Sequence, residues 1–222
     1  MYLSRIRLSP EAARDRRFWT LLESPYHLHQ AIWNLFSDRP DRRRDFLYRL
    51  DLDGGRPMLY ALSSREPHLA PSQQSLWNVE SRPLRPALRP GDRLRFSLRA
   101  NPVVTRDGSR HDLVMDLKKD LAKRGVPKAE WPSEAALAQQ AGEGWLTRRA
   151  AEHGFALARV WVARHEVLTF PKPSGATVRL AVCDFEGTLT VTDPDRFLAM
   201  LRQGLGPAKG FGCGLLLCRR AQ

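Results

Sequence analysis

One stretch near the middle of the chain, SRPLRPALRPGDR, carries prolines at 83, 86 and 90 followed by a Gly-Asp turn. Each proline removes a backbone donor and fixes φ, so neither a helix nor a central strand can run through this segment. It reads as a short, stiff connection over residues 86–92, which obliges residues 1–85 and 93–222 to fold as separate units. Each side must then assemble its own core, and 222 residues that are 42% hydrophobic suffice for two small ones.

The two halves show the same order of elements. In the first, MYLSRIRLS reads as a strand, SPYHLHQAIWNLF as an amphipathic helix, and DFLYRLDL and RPMLYALSS as strands joined by Asp53-Gly54-Gly55, a hairpin signal. A helical stretch around Gln73 to Trp77 and a strand from Val79 to Leu84 complete βαββαβ. The second half opens with RLRFSLRANP, where Leu94, Phe96 and Leu98 face one way and Arg93, Arg95, Ser97 and Arg99 the other. Residues 106–130 are charged and irregular. Beyond them SEAALAQQAGEGWLTRRAAEHG reads as a helix with Ser133 as N-cap and Gly154 just past its end. ALARVWVARHEVLTF, ATVRLAVCDF and EGTLTVTD read as strands, DPDRFLAMLRQGLG as a helix and FGCGLLLCRR as a closing strand. The fold class expected is α+β, with two tandem ferredoxin-like (RRM-like, βαββαβ) domains, the second carrying an insertion after its first strand.

Charge points to the partner. The 36 Lys and Arg outnumber the 24 Asp and Glu, giving a net charge of +12. Arginine forks bind phosphate bidentately and stack on bases, so this balance favours nucleic acid. No apolar run approaches the roughly 18 residues of a membrane span, and the N-terminus lacks the apolar core of a signal peptide. Cys183, Cys213 and Cys218 are odd in number and lack CxxC spacing, as expected of buried thiols in a reducing cytoplasm. The six histidines show no HExxH or Cys/His cluster, so no metal or other cofactor is expected.

Three features can carry chemistry. On the first helix Leu28, Ala31, Ile32, Leu35 and Phe36 form the core stripe, with Tyr26, His29 and Trp33 together on one flank and His27 on the other. By itself this leaves His29 open between a proton-transfer group and a surface histidine packed on Trp33. GLGPAKGFGCG places glycines at 204, 206, 210, 212 and 214 around Lys209. Such a run either cradles an anion with backbone amides or merely eases a turn; it is not a Walker A loop, because no GK[ST] follows. Arg95 and Arg99 on one strand, with Arg159 and Arg164 on another, form either a phosphate track or a solvated charged face.

In combination these segments resemble a known family. YHLHQAIWNLF, RPDRRRDFLYR, LRFSLRANP, CDFEGTLTVTDP and GLGPAKGFGCGLL are similar to the CasE-type CRISPR endoribonucleases, the repeat-processing subunits of type I-E Cascade; the resemblance is weakest from Thr105 to Ala150. It implies two ferredoxin-like domains and a single cut per repeat in the CRISPR precursor RNA, at the 3′ base of a stem-loop, without a metal. It also implies that the enzyme stays on the mature guide RNA among the other Cascade subunits, in the cytoplasm. By motif position His29 matches the family's catalytic histidine, Tyr26 the tyrosine three residues before it, and the loop around Lys209, including Gly206, Gly210, Gly212 and Gly214, the segment that holds RNA near the cut. His27 matches no family histidine. The rival expectation is a non-catalytic RRM-type RNA-binding subunit, although no aromatic RNP run occurs in the chain.

Overall fold

The computed structural model describes every residue except 10, 15, 17–18, 20–21, 23, 37–42, 54–55, 70–73, 107, 172–174 and 222. The first half supplies β1 (Tyr2–Leu8), α1 (Pro25–Trp33), β2 (Phe46–Asp53), β3 (Arg56–Ser63) and β4 (Trp77–Pro83). The second supplies β5 (Arg93–Ala100), β6 (Val103–Arg106), β7 (Ser109–Asp112), α2 (Leu113–Lys123), α3 (Glu134–Glu152), β8 (Phe155–Pro171), β9 (Thr177–Val191), α4 (Pro194–Gln203) and β10 (Leu216–Arg220). The four-stranded sheets run β2-β3-β1-β4 and β10-β5-β9-β8, antiparallel throughout. Counted in chain order within each sheet, both place the first and third strands at the centre and the second and fourth at the edges. That is the ferredoxin-like order, found twice.

Helix α3 shows why the second core forms as it does. Ser133 caps its N-terminus by accepting from the Ala136 amide at 3.2 Å, and Gly154 follows its end at φ +72°, as the sequence predicts. Its buried face, from Leu137 through Trp145 to Ala150, lies on the sheet, where the Trp145 ring stacks on Phe185 at 5.9 Å. Gly142 lets helix and sheet approach closely: a Cβ there would meet Phe185 and Val162 at 2.8 Å.

Several expectations are corrected. ATVRLAVCDF and EGTLTVTD are one strand, β9, running straight through Gly187. The glycine is there because β8 shifts register opposite it, between Leu157 and Arg159, which brings the Arg159 carbonyl over the strand. Residues 106–130 are not irregular: β6 and β7 form a hairpin and α2 follows, capped by Asp112 at the Met115 amide. Trp77 begins β4 rather than ending a helix, and Gln73 of that predicted helix, like Gly54 and Gly55 of the predicted turn, lies outside the described residues. Cys183 and Cys213 are buried, but Cys218 is exposed on the edge strand β10.

The halves also pack on each other. Leu47 and Leu62 of the first sheet join the core of the second half, and Arg49 donates from Nη1 to Ser97 Oγ at 3.0 Å. A Cβ on Gly187 would lie 2.1 Å from the Arg159 carbonyl oxygen and 2.9 Å from Phe96. Gly187→Ala should therefore force the strands apart and lower unfolding free energy by about 1–3 kcal/mol, measurable as a reduced denaturation midpoint with an unchanged slope.

Candidate active site

Helix α1 begins at Ser24, whose hydroxyl accepts from the His27 amide, with Pro25 in its first turn. Leu28 and Ile32 bury toward the first sheet, which leaves His29 on the flank of the helix. The imidazole lies 6.0 Å from the Trp33 ring and 6.3 Å from Tyr48, nearly parallel to the latter at 20°. Its Nδ1 is buried and makes no hydrogen bond among the described residues. Burial, and next the Arg44 guanidinium, hold His29 below the ordinary histidine range, so its neutral form prevails at neutral pH.

The second component comes from the other half. Helix α4 ends at Gly204, and the chain returns on itself: the Leu205 amide donates to the Gly214 carbonyl at 2.9 Å, and the Gly214 amide to the Arg99 carbonyl at 2.7 Å. Inside this loop a short 3-10 turn, Lys209–Phe211, faces α1. Tyr48 Oη donates to the Gly210 carbonyl at 2.8 Å, and the Phe211 ring packs on Phe170 at 5.1 Å. A Cβ on Gly210 would lie 3.4 Å from Arg44 Nη1 and 3.7 Å from His29 Cε1, so the turn approaches the histidine to within a methyl group. Burial and the neighbouring Arg44 hold Lys209 below the usual lysine range.

The five glycines divide in their roles. Gly204, Gly206, Gly212 and Gly214 all sit at positive φ, and Gly206 also lies against the Trp145 ring. These four serve the turn itself. Gly210 alone of the five has an ordinary φ and faces His29. Ala208, just before Lys209, is the one non-glycine at positive φ among the described residues, φ 59°. A left-handed alanine stores strain that the surrounding turn must hold.

The remaining predicted residues are dispersed. Tyr26 is half-buried; its ring edge meets His27 at 6.0 Å and its hydroxyl accepts from Gln30 at 3.4 Å. Arg99 is not a free guanidinium: it pairs with Asp184 at 3.1 Å and with Glu166, which also accepts from Arg164 at 2.6 Å. Arg95 and Arg159 line a groove of about 1140 Å³ between the sheets, beside Trp161 and Phe96.

Three components escaped the sequence reading. Arg44 hides within a run of arginines and Tyr48 within an apolar strand. The third is a basic pocket of about 400 Å³ lined by Arg110, Arg148, Arg149 and Pro207, the last only two residues from Lys209. Arg149 lies 4.2 Å above the Trp145 ring, which fixes its direction. The adjacent pair Arg148-Arg149 late in α3 was the available signal. Among the described residues no three His, Cys, Asp or Glu side chains are grouped so as to hold a metal ion.

Fold and site together define a tandem ferredoxin-like protein whose histidine and lysine come from opposite halves of the chain. A sequence profile described as CRISPR associated protein matches residues 1–220. CRISPR system Cascade subunit CasE of Escherichia coli is 30% identical over 221 residues, covering 97% of this chain and 98% of that protein. CRISPR-associated endoribonuclease Cse3 of Thermus thermophilus is 32% identical over 232 residues, again 97% and 98%. The structure of CRISPR endoribonuclease Cse3 bound to a 19-nucleotide RNA superposes with a TM-score of 0.76 at 30% identity, over 99% of this chain and 100% of that one. The chain belongs to the CRISPR-associated protein family, as a CasE-type member.

Because Arg44 disfavours the imidazolium, neutralising it should let His29 hold its proton to higher pH. In an NMR titration, with the resonance assigned by its loss in His29→Ala, His29 should titrate below 6.5 in the native protein and move upward in Arg44→Gln.

Proposed function

We propose that this protein is an endoribonuclease that cuts CRISPR precursor RNA at the 3′ base of the repeat stem-loop without a catalytic metal, and then stays on the mature guide RNA as a Cascade subunit in the cytoplasm. The observation that carries this reading is the approach of the Lys209–Phe211 turn to His29, in a chain related over nearly its full length to an endoribonuclease of this kind. In this reading residues 1–85 form the domain that carries His29, residues 86–92 the linker, and residues 93–222 the domain that carries the turn.

In the reaction the ribose 2′-OH attacks the adjacent phosphorus in line. The 2′-oxygen gives its proton to a base on the protein as the O2′–P bond forms, and the departing 5′-oxygen takes up a proton from an acid as the P–O5′ bond breaks, leaving a 2′,3′-cyclic phosphate and a 5′-OH. The nucleophile belongs to the RNA, so the protein need only align the groups, move protons and stabilise charge. His29, kept neutral by burial and by Arg44, is suited to accept the 2′-OH proton. Tyr26, one helical turn away, would orient the ribose or share in proton transfer to the leaving oxygen. Lys209, Arg44 and the amides of the turn stabilise the negative charge that builds on the phosphorane.

The stem would be held through its phosphates, since A-form RNA hides its major-groove edges. The pocket of Arg110, Arg148 and Arg149, one wall of which is Pro207, two residues from Lys209, would extend the basic surface away from the cut. Arg95 and Arg159 offer a second basic surface in the groove between the sheets, whereas Arg99 and Arg164 would act through their ion pairs.

With a synthetic repeat hairpin in chelator-containing buffer, His29→Ala should slow cleavage by about 10²–10⁴-fold and leave RNA affinity nearly unchanged. Replacing the 2′-OH at the cut by hydrogen should abolish the reaction. Normal cutting by the variant would sink the assignment of His29, and absence of cutting by the native protein would favour a non-catalytic RNA-binding subunit. The double variant Arg110→Gln/Arg148→Gln should weaken binding and flatten its salt dependence, by about 0.7–0.9 in log–log slope for each phosphate no longer neutralised.

A further inference from the structure

We infer that Tyr48 is a positioning residue for the proposed cleavage: its hydroxyl fixes the Lys209–Phe211 turn at the working distance from His29. The inference rests on the function proposed above and adds to it a residue that touches neither the RNA nor the reacting atoms. Tyr48 lies on β2, 1% exposed, in the core of the first half beside Phe46 and Leu59. A core that needed only a ring at this place would be served by phenylalanine, as at Phe46 on the same face of the strand. The added hydroxyl must find a partner, because a buried polar group left unbonded is costly. The partner it finds is 162 residues away, the carbonyl of Gly210, at 2.8 Å.

The identity of that partner gives the bond its purpose. Gly210 is the loop residue whose α-carbon faces His29, and the Tyr48 ring itself lies nearly parallel to the His29 ring. One side chain therefore touches both components of the site. The backbone hydrogen bonds that shape the loop, from Leu205 to Gly214, Gly214 to Arg99 and Phe211 to Ala208, stay within the second half. The Tyr48 bond crosses to the half that carries the histidine. Burial pushes the phenol well above its ordinary range, so it remains a donor throughout the pH span of the reaction and does not exchange protons with substrate.

Tyr48→Phe in the full-length protein keeps the ring in place and removes only this bond. The single-turnover cleavage rate at saturating enzyme should fall about 10- to 100-fold, while affinity for the 2′-deoxy hairpin stays within about twofold. In the free variant, the loosened turn should admit water to His29 and move its NMR titration upward, toward the ordinary value. A general loss of structure would instead reduce rate and affinity together. An unchanged saturating rate, or parallel loss of rate and affinity, overturns the inference. The His29 titration needs no substrate, so it reads the coupling of turn to histidine even if the native protein fails to cut the hairpin, which would refute only the proposed activity.

Discussion

The packing of β2 against both halves of the chain is the constraint on which the rest depends. Alternation along the strand sends Phe46 and Tyr48 into the core of the first half and Leu47 into that of the second. Leu47 in turn lies where a Cβ on Gly204, at the end of α4, would meet it at 2.8 Å. A slip of one residue in β2 would reverse both faces at once, unseating the second half and removing the Tyr48 hydroxyl from Gly210. The fold thus specifies the site through the register of an edge strand, with no need for a rigid linker.

Electrostatics works differently in the two halves of the site and in the sheet beside it. Arg44 stands close enough to His29 and to Lys209 to disfavour positive charge on both. A cluster of this kind is uncomfortable in the free protein and relieved by an anion, which is how binding energy can be directed at a phosphate. Arg99 shows the opposite solution, with Asp184 and Glu166 neutralising it. A single composition figure of +12 conceals this division between charge held in reserve and charge already committed to structure.

Much of the fold was legible because local signals agreed. Ser133 and Gly154 bounded α3, and the alternation of Leu94, Phe96 and Leu98 identified the central strand β5. The errors arose where a tertiary neighbour overrides a local cue. Gly187 looks like a chain break and is instead a place where the bulged β8 crowds a continuous strand. The hairpin of β6 and β7 has strands of four residues each, too short and too charged for periodicity to register. At the site, His29 and the glycine loop stood out by residue type. Arg44 and Tyr48 did not, since an arginine among arginines and an aromatic in an apolar strand acquire meaning only from what faces them.

The division of the site between distant parts of the chain has a consequence for timing. A ribosome that has made α1 has placed His29 in the growing chain, but the turn that faces it lies about 180 residues further on, as the positions of His29 and Lys209 require. Strand β5 at the centre of the second sheet also lacks its β10 neighbour until residues 216–220 exist. The nascent protein therefore carries its histidine without the opposing turn through most of its synthesis, and the site comes together only when the second half closes on the first.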